Sequence, residues 1–280
     1  MSAQGRPKRS PPPVEGEADR AAVSFGGGCP MSDAGPRSVD AHRSAEREAA
    51  KPHPSQGRTH AVFVTGTDTG VGKTFVAVGL LRALVREGFG ACGMKPVAAG
   101  FDAPTHNADV IALHAAGNVD APLRERNPYA FAEAVAPHLA AESEARPIEL
   151  DPIARAYARL RARANALVVE GAGGALVPLD GTHDMLDIAA LLSLPVLVVV
   201  GMRLGCLNHA LLTALAVQRR GLSLCGWVAN DLPPGMPRLA ANVDALSCRL
   251  GLSPVAVLAP DASTLRASEL VKLQFLRSPH

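Results

Sequence analysis

The stretch Phe63–Thr74, FVTGTDTGVGKT, constrains this chain more than any other. It joins an apolar run, Ala61–Thr65, to a run of good helix formers from about Lys73 to Glu87. A strand that turns through glycines into a helix leaves unpaired backbone N–H groups at the helix N-terminus, where they and the helix dipole favour phosphate. The usual phosphate loop reads Gly, four residues, then Gly-Lys-Ser/Thr. Counting back from Gly72 puts Thr67 at its first position, and Gly66 falls one residue early. Thr67 is compatible with such a loop if its φ is negative. The amides of Gly70, Val71, Gly72, Lys73, Thr74 and Phe75 then face phosphate oxygens. Lys73 neutralises the terminal phosphates and the Thr74 hydroxyl reaches Mg²⁺. A plain Gly/Thr turn is the competing possibility. Strand, Gly-Lys-Thr and helix in one register argue against it.

The same alternation continues along the chain. Strands are expected at Cys92–Pro96, Leu167–Glu170, Pro195–Val200, Leu224–Ala229 and Val255–Leu258. Helices are expected in HNADVIALHAAG, ending at Gly117, from near Asp151 with Pro152 in the first turn, and in NHALLTALAVQRRG. This order specifies an α/β fold: one doubly wound, mostly parallel sheet of the P-loop type with helices on both faces, in a single domain. The domain is expected to span residues 59–262, with a partly helical segment at 263–280. Residues 1–58 are rich in Pro, Arg, Glu, Ser and Gly. They carry too little apolar surface to offset ordering entropy, so a disordered low-complexity tail is expected.

Several function classes drop out on composition. A net charge of +2 gives no electrostatic case for a nucleic-acid partner. No apolar run approaches the roughly 18 residues that span a membrane, and the N-terminus lacks the apolar core of a secretory signal. The cysteines (Cys29, Cys92, Cys206, Cys225 and Cys248) are odd in number and form no C-x-x-C pair. A zinc site or disulfide framework is therefore not expected, and a reducing cytoplasm is.

Polar residues recur where the strands end. Lys95 closes GMKP, Glu170 closes LVVE and opens GAGG, and Asn230 with Asp231 closes GWVAND. In open α/β sheets ligands bind outside the carboxyl ends of the strands, so these groups converge on the edge that carries the phosphate loop. Glu170 follows Leu-Val-Val and leaves the sheet beside that loop, a place for a carboxylate on a metal. Gly171, Ala172 and Gly173 then bring backbone close to a ligand. Taken singly, a strand-end lysine is an exposed charge, and Asp109, at a helix start, is a solvated acid. His106 and His183 read as surface residues.

Seven stretches resemble one family, the dethiobiotin synthetases. They are FVTGTDTGVGKT, GMKPVAAG, HNADVIAL, NPYAFAEAVAPHLAA, VVEGAGGALVPL, LPVLVVVGMRLGCLNHALLT and GWVAND, in one order from Phe63 to Asp231. The family's loop is T-G-T-D-T-x-V-G-K-T, which answers the spacing puzzle. The resemblance implies a cytoplasmic, homodimeric ligase of biotin biosynthesis that uses ATP and Mg²⁺. It would join 7,8-diaminononanoate to CO₂ through a carbamate and a carbamic-phosphoric anhydride. By the same resemblance Lys73 and Lys95 are catalytic, and Thr74, Asp109 and Glu170 hold the metal. The nucleotide meets Gly70–Phe75, Asp109, Glu170–Gly173, Asn230, Asp231 and the weaker match at Ala259, Pro260 and Asp261. The diamine meets Thr69, Lys95 and Ala99, with Asn208 supplied across the dimer interface. Ala99 departs from the family's usual serine and removes a hydroxyl contact, which backbone or Thr69 is expected to replace. Independently of the resemblance, Cys206, Asn208 and His209 could simply cap the helix that follows.

Three alternatives stand beside this. A ParA/MinD-like nucleotide switch would carry a second lysine where Asp68 stands. A cobyrinic-acid-type amidotransferase would need a glutaminase domain, for which too little chain follows Asp231. A nucleotide-binding protein without chemistry is separated only by assay.

Overall fold

The computed structural model describes residues 60–101 and 107–260. The expected tail at 1–58, the segment 263–280, His106 and Asp261 lie outside the described residues. The chain runs β1 (His60–Gly66), α1 (Lys73–Arg86), β2 (Ala91–Met94), β3 (Val97–Ala99), α2 (Ala108–Ala116), α3 (Leu123–Arg126), β4 (Tyr129–Phe131) and α4 (Pro137–Ser143). It continues α5 (Leu150–Arg161), β5 (Ala166–Glu170), α6 (Met185–Leu191), β6 (Val196–Met202), α7 (Cys206–Arg219), β7 (Leu224–Asp231), α8 (Leu239–Leu250) and β8 (Ala256–Leu258).

Six strands form one sheet in the order β2-β5-β1-β6-β7-β8, with every pairing parallel. The phosphate-loop strand β1 therefore sits inside the sheet, between β5 and β6. Successive residues of a strand face opposite ways. Phe63 packs with Leu167, Val169, Val198 and Trp227 on one face, beneath α5, α6, α7 and α8. Val62 and Val64 pack with Val168, Val199 and Val228 on the other, beneath α1 and α2. Burial on both faces explains why these strands read as unbroken Val/Leu runs rather than alternating ones. Among the described residues no helix is long and apolar enough to cross a membrane.

Three expectations are corrected. The second strand ends at Met94 rather than Pro96. Pro96 lacks an N–H for the ladder, and the chain beyond it forms β3, which pairs in parallel with β4 as a separate two-stranded sheet. That small sheet, with α3, α4, α6 and α8, was not legible, because each piece is short and weakly patterned. The third correction concerns α7. Its N-cap is Gly205 at φ 95°, and Asn208 lies inside the first turn, so Asn208 is not the cap.

The turn before α6 carries a charged lock. The Asp180 carboxylate accepts from the Thr182 and His183 amides at 2.6 and 2.7 Å, and its other oxygen meets His183 Nδ1 at 2.8 Å. The His183 hydrogen bond leads the causes that hold Asp180 far below the usual carboxylate range. The same bond raises the His183 pKa above its ordinary 6.5. A raised imidazole pKa stabilises the fold below the unfolded value, and that contribution is lost as pH rises through the folded value. The thermal unfolding midpoint should therefore fall, and only slightly for so exposed a pair, as pH rises from 6 to 8. His183→Gln should flatten this dependence, and an unchanged slope would refute the lock.

Candidate active site

The phosphate loop closes as the spacing requires. Its positive-φ positions are Gly70 at 73° and Gly72 at 91°, which leaves Thr67 at negative φ. Gly72 is the N-cap of α1, so the amides that follow open toward the ligand side. The loop is wedged from below by Val71. A Cβ on Gly66 would lie 2.6 Å from Val71 Cγ2, and one on Gly201 2.8 Å from Val71 Cγ1. Asn230 Nδ2, from the end of β7, donates to the Val71 carbonyl at 2.9 Å. Lys73 Nζ donates to the Asp68 carbonyl oxygen at 2.8 Å, and burial brings its pKa down to about 8. The Asp68 carboxylate accepts from the Thr69 amide at 2.7 Å and pairs with Arg203.

Beside the loop, four groups from separate segments meet. The parallel register of β1 and β5 sets Glu170 opposite Val64, next to the turn. Thr74 Oγ1 donates to Glu170 Oε1 at 2.8 Å, and Lys95 Nζ donates to the same oxygen at 2.7 Å. Lys95 also pairs with Asp109 at the start of α2. Glu170 is wholly buried and its Oε2 has no hydrogen-bond partner. Burial pushes the Glu170 carboxyl above its ordinary range, and Lys95 opposes this. Burial also works against the Lys95 ammonium, but Glu170 and Asp109 outweigh it and hold its pKa up. Asp109 feels burial first as well, and Lys95 overrides it to keep the carboxylate ionised.

This donor set fits Mg²⁺. It offers a hydroxyl and two carboxylates, one of which has a buried oxygen without a partner, all hard oxygens. No group of three His, Cys, Asp or Glu suited to a metal occurs among the described residues. A cation that takes one or two carboxylates and fills its shell with phosphate and water does not need one.

Thr69, Gly70, Gly72, Lys73, Thr74, Lys95, Ala99, Asp109, Glu170, Ala172 and Gly173 line one cavity of about 670 Å³. Its far wall is apolar, from Ala134, Val135, Pro137 and Val177. The sequence assigned no role to those four, nor to Asn107, which also lines the cavity, although Ala134, Val135 and Pro137 lie within NPYAFAEAVAPHLAA. Phe75 packs away from the cavity against the α1 side of the core, and Gly171 lies against the Phe63 ring. Asp231 is buried and accepts from the Met236 amide at 2.7 Å. Ala259 and Pro260 are exposed at the end of β8. A Cβ on Gly235 would lie 3.6 Å from both Asp231 Oδ2 and Pro260 Cγ, so these segments converge on the same sheet edge. Asn208 is exposed on α7 and does not line the cavity of its own chain.

An interior parallel strand ending in this loop, with lysine, threonine and carboxylates converging beside it, defines a P-loop nucleotide-binding protein. A family model described as an AAA domain matches residues 60–267. The ATP-dependent dethiobiotin synthetase BioD of Janthinobacterium sp. (strain Marseille) is 45% identical over 229 residues, 79% of this chain and 97% of that one. BioD of Aromatoleum aromaticum is 49% identical over 195 residues, 68% and 86% of the two chains. The chain belongs to the dethiobiotin synthetase family. Among solved structures, the septum site-determining protein MinD of Pyrococcus horikoshii aligns at a TM-score of 0.48 and 14% identity, over 78% of this chain and 88% of that one. A likeness that distant adds nothing to the topology already described.

Proposed function

We propose that the protein makes dethiobiotin from 7,8-diaminononanoate, CO₂ and ATP. The observation that carries this is Lys95, buried against Glu170 and Asp109 beside the Lys73–Thr74 turn and lining a cavity with an apolar wall. One amine of the diamine adds to CO₂, giving a carbamate and releasing a proton. A carbamate oxygen then attacks the γ-phosphorus and ADP leaves. The second amine attacks the carbonyl carbon of the resulting anhydride, the C–O bond to phosphate breaks, and the amine loses its proton. None of these steps needs a covalent bond to the protein, which positions reactants and neutralises charge.

In this reading the loop amides from Gly70 to Phe75 and the Lys73 ammonium hold the phosphates. Lys95 faces the carbamate and the transferring group, where a fixed cation in a dry site is worth most. Thr74, Asp109 and Glu170 hold Mg²⁺, which when bound neutralises charge on the phosphate oxygens. The apolar wall takes the methylene chain, and Thr69, which lines the same cavity as Ala99, supplies the hydroxyl in place of the family's serine. Asn230 and Asp231, with the nearby end of β8, face the base. Exposed Leu176, Leu204 and Leu212 beside the exposed Asn208 support a homodimer in which one copy's α7 completes its partner's site. Four free cysteines among the described residues suit a reducing cytoplasm. Asp68, committed to Arg203, speaks against a ParA/MinD-type switch.

The test is incubation with the diamine, bicarbonate, ATP and Mg²⁺, with dethiobiotin read by mass. One ADP per dethiobiotin is expected. ATP binding without product would overturn the proposal.

A further inference from the structure

Lys95 is the least conventionally placed of the site's cations. It does not belong to the phosphate loop, and it leaves β2 one residue before a proline. Its side chain is held by Glu170 and Asp109, the two carboxylates that the proposed function assigns to the metal. When those oxygens serve a metal, side-chain contacts alone no longer fix the ammonium. Its aim then depends on where its backbone is held.

The backbone is held at both of its polar atoms by one dipeptide. The Lys95 amide donates to the Arg126 carbonyl at 2.8 Å. The Lys95 carbonyl accepts from Asn127 Nδ2 at 2.7 Å. The second Nδ2 hydrogen goes to the Tyr129 carbonyl at 2.9 Å, so both donors of the amide are spent on carbonyls and its orientation is fixed. Arg126 is itself anchored. It is 2% exposed, its Nε donates to the Ala121 carbonyl at 3.2 Å, and its Nη2 donates to the Val119 carbonyl. On the far side, the Tyr129 amide donates to the Pro96 carbonyl at 3.1 Å, where the β3–β4 pair begins. The small second sheet and the buried arginine together form a frame. Asn127 is the side chain of that frame that hydrogen-bonds the Lys95 backbone.

We propose that Asn127 is a positioning residue for phosphoryl transfer: its amide clamps the Lys95 carbonyl so that the ammonium stays aimed at the reacting groups. This rests on the assignment of Lys95 made under the proposed function. Asn127 reaches neither the cavity nor the phosphate loop, so its removal should spare nucleotide binding.

Two variants test this in the full chain. Asn127→Asp keeps the shape and removes both donors; Asn127→Ser keeps one. Turnover should fall about tenfold in Asn127→Asp, the cost of misplacing a catalytic group, and less in Asn127→Ser. The Kd of a fluorescent ATP analogue should stay within about twofold, since its contacts are unchanged. A readout that does not depend on turnover is acylation of the nucleotide-free protein in excess Mg²⁺, so that Glu170 and Asp109 are engaged by the metal, using a water-soluble acetylating reagent and mapping by mass. Lys95 should react about fivefold faster in Asn127→Asp, while the buried Lys73 serves as the internal control and stays unchanged. Equal acceleration at both lysines, or turnover within twofold of the parent, would overturn the clamp. If the parent itself makes no dethiobiotin, the functional proposal fails, yet the Lys95-to-Lys73 ratio still reports on the clamp.

Discussion

Lys95→Ala should cut turnover by about 10²–10³-fold while leaving the Kd for ATP within a few-fold, because it removes a fixed cation aimed at transition-state charge. In the proposed reading the nucleotide's phosphate contacts come from Gly70–Phe75 on another segment, so binding and chemistry should separate. The side chain cannot be replaced by solvent. Lys95 is 4% exposed and its partner Glu170 is wholly buried. In the variant Glu170 loses the charge that opposed its burial, while the repulsion from Asp109 remains. A carboxyl so placed takes up a proton rather than sit as an unpaired buried charge. The metal site should therefore weaken along with catalysis, so the Mg²⁺ concentration for half-maximal activity rises. Lys95→Met, which keeps the length without the charge, should show the same loss. Steady-state product formation and a fluorescent nucleotide titration decide the matter. Turnover within tenfold of the parent would remove Lys95 from the chemistry.

The part of this site visible in the sequence was the part written in one stretch or at a strand end. Gly72, Lys73 and Thr74 carry their own pattern. Lys95, Glu170 and Asn230 each close an apolar run, and the parallel order then forces them onto one edge. Buried strands with near-continuous Val and Leu were legible for the same reason. What escaped was specified across space. The β3–β4 pair consists of two three-residue strands whose pairing depends on the frame around Arg126 rather than on any local period. Asn127 stood out only as the first residue of NPYAFAEAVAPHLAA, and only the fold reveals that its amide meets Lys95. Asp109 looked like a helix-turn acid, and its capture by Lys95 is a contact between α2 and the end of β2. The N-cap of α7 was misplaced for a related reason. Asn208 has the better capping side chain, but Gly205 supplies the left-handed turn that the entry into the helix needs.

Gly72→Ala should cost nucleotide affinity about 10²-fold or more, since two independent penalties coincide there. The first is conformational. Gly72 sits at φ 91°, ψ 25°, where an L-residue costs about 1–2 kcal/mol. The second is steric. An added Cβ would lie 2.3 Å from Asn230 Nδ2, far inside contact distance. Asn230 cannot step aside freely, because that nitrogen holds the Val71 carbonyl at 2.9 Å. Nor can the loop sink, because Val71 is already wedged above Gly66 and Gly201. Relief requires the turn to lift or the amide to let go. Letting go leaves a polar group unpaired at about 1–3 kcal/mol. Gly70→Ala is the control. Its φ of 73° brings the conformational penalty, but nothing lies within 4 Å of the new Cβ, so it should lose only about tenfold. Asn230→Ala made in the Gly72→Ala background removes the clashing nitrogen, so the two losses should combine to less than their sum. Nucleotide titrations of the four variants and the parent measure each term. Equal losses at Gly70 and Gly72, or strict additivity with Asn230, would show that Asn230 does not brace the loop.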